Sequence, residues 1–84
     1  MEELIVIGYG KRLKSLRLAS NLTMDTVSKA AGIAKSTYAG YESEFRQPSF
    51  EKLTFFAEYF HVSTDYLLCL TTDAKNKGDW HLNI

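Results

Sequence analysis

The stretch TMDTVSKAAGIAKSTYAGY, residues 23–41, carries the reading of this chain. Thr23 offers a hydroxyl to cap a helix that starts at the next residue, and Asp25 falls in its first turn, where the positive end of the helix dipole favours an acid. The helix runs to Ala31 and breaks at Gly32, a residue without Cβ that bends the backbone at positive φ at no steric cost. Helical character resumes over residues 35–41. Ser28 and Ala31 are small enough to let the two helices approach. Val27, Ile33 and Tyr38 are spaced to point back into a core.

Working outward, Tyr9, Leu13, Leu16 and Ser20 recur at three- and four-residue intervals, with Lys11, Arg12 and Lys14 elsewhere on the wheel. This predicts an amphipathic helix beginning near residues 8–10 and ending at Asn21, which tolerates the left-handed conformation. Downstream, Gln47-Pro48-Ser49 resets the chain, and Ser49 is placed to cap a new helix. Phe50, Leu53, Phe56, Ala57 and Phe60 form its apolar stripe, Phe55 and Tyr59 lying off it, inside or on a dimer surface with Tyr66 and Leu67. His61-Val62 ends that helix, and Ser63 caps a last short one through Leu68. The expected fold is all-α: a five-helix domain over residues 8–70, an extension at 1–7 and a tail at 71–84. Residues 4–7 either extend the first helix or form a short strand. Trp80, Leu82 and Ile84 alternate, which admits a C-terminal strand, although a frayed flexible tail is the preferred reading.

The 84 residues are ordinary in composition, 45% hydrophobic and 24% charged, with zero net charge. No apolar run approaches the roughly 20 residues that span a bilayer, and no secretory signal is evident, so a cytoplasmic protein with no membrane partner is expected. Cys69 is the only cysteine, and His61 and His81 have no partners at ligand spacing. Metal and cofactor are therefore not expected, nor is a small-molecule ligand. No nucleophile–base pair or glycine-rich phosphate loop suggests an enzyme. The neutral total hides a gradient. Residues 8–48 hold seven bases (Lys11, Arg12, Lys14, Arg17, Lys29, Lys35, Arg46) and three acids (Asp25, Glu42, Glu44), a net of +4. One basic surface on a neutral body suits an anionic partner.

Two short helices around a glycine at this spacing match a helix-turn-helix, whose second helix enters the DNA major groove. Lys11-Arg12-Leu13-Lys14-Ser15-Leu16-Arg17, Leu22-Thr23, Gly32-Ile33, Ser36-Thr37, Tyr41-Glu42, Arg46-Gln47-Pro48-Ser49 and Val62-Ser63-Thr64-Asp65-Tyr66-Leu67-Leu68 follow in the order and spacing of a known family. Over most of its length the chain resembles the phage-repressor (Cro/lambda-repressor-like) helix-turn-helix proteins. The resemblance implies a compact five-helix bundle that binds double-stranded operator DNA as a homodimer and regulates transcription, most often as a repressor.

Carried over by position, the resemblance puts base contacts at Lys35, Ser36 and Gly40, with Thr37 near a phosphate or a thymine methyl. It puts phosphate contacts at Thr23, Met24, Ser43 and Arg46, and a structural ion pair at Arg17 and Glu42. Four residues depart from the family's pattern: Met24 for glutamine, Ala34 for a capping Ser or Thr, Gly40 for a long polar side chain, and Glu44 for glycine. Glu44 adds a negative charge near the expected phosphate path. Met24, Gly40 and the neutral total favour a rival reading, a protein-interaction module of the same fold such as an antitoxin or anti-repressor element, whereas Lys35, Arg46 and the Lys11–Arg17 cluster favour DNA. Core packing is the preferred role for Tyr38 and Tyr41, and an inert, semi-buried thiol that for Cys69.

Overall fold

The computed structural model describes residues 8–73, and these are helical with short connections: α1 (Tyr9–Ala19), α2 (Met24–Ala31), α3 (Lys35–Glu42), α4 (Phe50–Tyr59) and α5 (Thr64–Leu67). The expectations for residues 4–7 and for the alternating tail at 79–84 fall outside the described residues. No helix among the described residues is long and apolar enough to cross a membrane.

Local chemistry sets where the helices start. The hydroxyls of Thr23, Ser49 and Ser63 accept the N–H groups of Thr26, Lys52 and Tyr66 at 3.1, 3.2 and 3.0 Å, each satisfying a donor that has no partner within its helix. The ends share a second device. A left-handed residue follows each helix: Asn21, Gly32, Glu44, His61 and Cys69, with φ between 58° and 70°. After α2, the Gly32 N–H donates to the Lys29 carbonyl and the Ile33 N–H to that of Ser28, the paired closure of a Schellman turn. Leu22 to Arg17, Val62 to Ala57 and Leu70 to Asp65 repeat the longer bond after α1, α4 and α5.

The core forms where α3 and α4 present aromatic rings to the other helices. Tyr38 and Phe56 are fully buried, their ring centres 5.7 Å apart, and Tyr41 meets both edge-on at 6.5 and 6.0 Å. Offset and edge-to-face pairs of this kind contribute about 0.5–1.5 kcal/mol beyond the area they bury. Leu13, Val27 and Leu67 close the core from α1, α2 and α5. Two long cations tie helices together at their open ends. Lys52 Nζ donates to the Ala31 carbonyl at 2.8 Å, joining α4 to the end of α2. Arg12 donates to the carbonyls of Tyr66 and Thr71 at 2.6 and 2.7 Å and lies 4.0 Å over the Tyr66 ring.

Three details differ from the sequence pattern. Phe50 belongs by spacing to the α4 stripe, yet it is 89% exposed. It is the first residue of α4, and helical side chains lean toward the N-terminus, so it projects past the end of the helix instead of onto the core. Leu67 is fully buried and takes no part in a surface with Phe55 and Tyr59, which stack on each other at 5.4 Å and pack partly buried against the core. Cys69 is exposed, not semi-buried, because it occupies the left-handed turn after α5.

Candidate nucleic-acid interface

Helix α3 has one locked face and one open face. On the locked face, Tyr38 and Tyr41 enter the core, and Glu42 pairs with Arg17 of α1. The pair is bidentate: Arg17 Nε donates to Glu42 Oε2 at 2.6 Å and Nη2 to Oε1 at 3.2 Å. Nη1 donates to the Leu22 carbonyl at 3.0 Å, so one guanidinium holds both α3 and the turn before α2. The Tyr38 hydroxyl is buried beside this pair without a well-formed hydrogen bond. Burial first, and the neighbouring Glu42 carboxylate second, push its pKa far above the ordinary phenol range.

Close approach of α1 and α3 depends on Gly10. A Cβ there would collide with the Glu42 carbonyl oxygen and lie 2.7 Å from Glu44 Cγ. Glu44, whose charge in the sequence appears set against the phosphate path, is turned the other way. Its left-handed backbone, φ 65°, directs the carboxylate to the start of α1, where Oε2 accepts the N–H groups of Gly8 at 2.7 Å and Gly10 at 2.9 Å. An acid at a helix N-terminus satisfies free donors and the dipole together. The same carboxylate is a secondary cause, after burial, of the raised Tyr9 pKa.

On the open face, Lys35 and Ser36 are exposed at the first turn of α3 and Thr37 is half-buried. Ala34 provides no side-chain cap, so the leading N–H groups of α3 stay open. Gly40 is buried: the Arg46 side chain lies across it, with Cγ and Cδ 3.1 and 3.0 Å from where a Cβ would stand. Ser43 is exposed, and its hydroxyl donates to the Gly40 carbonyl at 3.2 Å. Thr23 is exposed, but its oxygen is engaged with Thr26. Met24 is half-buried and packs against the core.

Pairing decides which charges remain available. Among the described residues, Arg12 and Arg17 are spent inside the molecule and Lys29 faces Asp25 at 3.4 Å. Glu42 and Glu44 are likewise engaged. Lys11, Lys14, Lys35 and Arg46 are left as cations without an ion pair or side-chain hydrogen bond. They carry the excess charge of the 8–48 segment. Charge patterning treated Lys11 to Arg17 as one basic cluster; the resemblance set Arg17 apart as the partner of Glu42, but nothing in the sequence marked Arg12 as engaged or Glu44 as a cap. These partners lie 25 to 59 residues away, where no local signal reaches.

A helix-turn-helix family profile matches residues 13–67, from α1 to the end of α5. The chain is 46% identical over 69 residues to an uncharacterized HTH-type transcriptional regulator, YobD, of Bacillus subtilis (strain 168), a match that covers 82% of this chain and 62% of that protein. It is 47% identical over 57 residues to the HTH-type transcriptional regulator AnsR and 34% over 62 to ImmR, both of the same organism, covering 68% and 74% of this chain and 49% of each relative. It thus spans about half to three-fifths of the length of these proteins. The profile match begins within α1 and takes in the capped α2, the glycine turn, the anchored α3, α4 and α5, and the chain belongs to the phage-repressor-like helix-turn-helix family.

Proposed function

We propose that this chain is a sequence-specific DNA-binding transcriptional regulator of the cytoplasm that seats α3 in the major groove. The observation that carries the reading is the two-faced α3. Its inner side is fixed by Tyr38, Tyr41 and the Glu42–Arg17 pair, while Lys35 and Ser36 stand exposed and unpaired at its leading edge. Lys35 donates to guanine O6 and N7, Ser36 adds a weakly discriminating contact, and Thr37 meets a phosphate or a thymine methyl. Ser43, Thr23 and the backbone N–H of Met24 face the flanking phosphates. The protein acts as a homodimer on a two-fold operator whose half-sites lie about 34 Å apart, and it represses by occupying a promoter.

Selection of random duplexes by the purified protein tests this. One enriched, roughly symmetric sequence is expected, bound with an affinity that falls steeply as salt rises. Lys35→Ala should relax selectivity at one position per half-site by about 1–3 kcal/mol. Enrichment of no sequence above background refutes the proposal and leaves the interaction-module reading.

A further inference from the structure

The base-reading position at residue 40 is a glycine, and the structure sets another side chain over it. Arg46 has its Cβ, Cγ and Cδ 3.5, 3.1 and 3.0 Å from the point where a Gly40 Cβ would sit, so its stem lies flat across α3. Residues 36, 40 and 43 share one stripe of the helix, the stripe that begins with exposed Ser36. The backbone beneath Arg46 is held at both polar groups: its N–H donates to the Gly40 carbonyl at 3.1 Å, and its carbonyl accepts the Tyr9 hydroxyl at 2.8 Å. The chain has three arginines, and the guanidinium groups of Arg12 and Arg17 are consumed by internal partners. That of Arg46 has no hydrogen bond or ion pair among the described residues, and the residue is exposed.

We infer that Arg46, expected from the sequence at a phosphate, supplies from the following loop the base-reading group that Gly40 lacks, and that Gly40 is small so that this arginine can lie along the reading face. The inference rests on α3 being the DNA-reading helix. Its ligand is the O6/N7 edge of a guanine, which the planar guanidinium meets with two N–H groups in a fixed fork, whereas a lysine ammonium reaches the same edge as a flexible point charge. A stem laid on a helix whose own backbone grips the loop loses little freedom on binding, which suits a specificity contact better than a swinging phosphate tether.

The test is a panel of duplexes in which each base pair of the sequence enriched by the unaltered protein is changed in turn. The unaltered protein should lose about 5- to 150-fold in affinity when the Arg46-facing G·C pair is replaced. Arg46→Ala should abolish the penalty at that one pair and Arg46→Lys should reduce it, both keeping the penalties elsewhere. Gly40→Ala, checked for an unchanged circular dichroism spectrum, should weaken the same penalty, since the new methyl makes the stem give way by a few tenths of an ångström. If both Arg46 variants lower affinity for every duplex by one common factor, Arg46 serves a phosphate and the inference fails while the proposed function stands. If no duplex is enriched by the unaltered protein, both fail together.

Discussion

Removing the carboxylate of Glu42 offers the sharpest check on how α3 is held. In Glu42→Ala, Arg17 loses two of its three hydrogen bonds and keeps only the Leu22 carbonyl, while its side chain is just 9% exposed. A charge stranded this way costs about 3–5 kcal/mol, because the desolvation already incurred is no longer offset by the partner. The residual Leu22 bond and some inflow of water set the expectation at the lower end, about 3 kcal/mol. A domain of this length holds about 4–13 kcal/mol in all, so the loss is a large share of the total. With about 4–8 °C per kcal/mol for domains of this size, the melting temperature should fall by at least about 12 °C. Urea titration and thermal melting followed by circular dichroism measure both quantities. Arg17→Ala should lose a similar amount, since it strands a carboxylate whose side chain is 5% exposed. The double variant Arg17→Met/Glu42→Leu should recover most of the loss, since no buried charge is left unpaired. Single variants that melt within a degree or two of the parent would show that the pair does not hold α3 to α1.

Three further outcomes follow from neighbouring contacts. Glu44→Ala removes the acceptor shared by the Gly8 and Gly10 N–H groups and should lower stability by about 1–2 kcal/mol in urea denaturation, with Glu44→Gln in between; an unchanged midpoint would deny the capping role. Gly10→Ala drives a methyl into the Glu42 carbonyl and should cost about 1–3 kcal/mol or more, against the small gain that alanine brings to an open helix site, and a neutral result would mean that α1 and α3 are free to separate. Tyr38 keeps its proton in the folded chain above pH 10 while the unfolded chain ionises there. Stability should therefore be intact below about pH 10 and fall by up to about 1.4 kcal/mol per pH unit above it. Tyr38→Phe should flatten that alkaline slope, leaving a smaller part from Tyr9, whose pKa is also raised, and an identical slope in the variant would refute the assignment.

Much of the helical framework could be read locally because its signals act over three or four residues. Thr23, Ser49 and Ser63 bond to N–H groups three positions on, and Gly32 and Asn21 supply their own backbone conformations. Each works whatever the rest of the chain does. Phe50 misled because spacing records an angle around a helix and is blind to its length; the first residue points past the end. Glu44 misled because its charge was weighed where its α-carbon lies, whereas a left-handed turn sends the carboxylate to another helix.

The site divides in the same way. Residue order supplied the cap, the glycine turn and the helix that follows, and the family resemblance, not the spacing, put Lys35 and Ser36 at the leading edge of α3. The resemblance had already paired Arg17 with Glu42, but which of the other charges stay free to meet an anion was settled only in three dimensions. Arg12 and Arg17 resemble Arg46 in composition, but two of the three guanidinium groups find acceptors across the fold and one finds a glycine to lie upon. Helices are closed by bonds between near neighbours in the chain, whereas the fate of a long charged side chain depends on which distant carbonyl or carboxylate packing brings within about 3 Å.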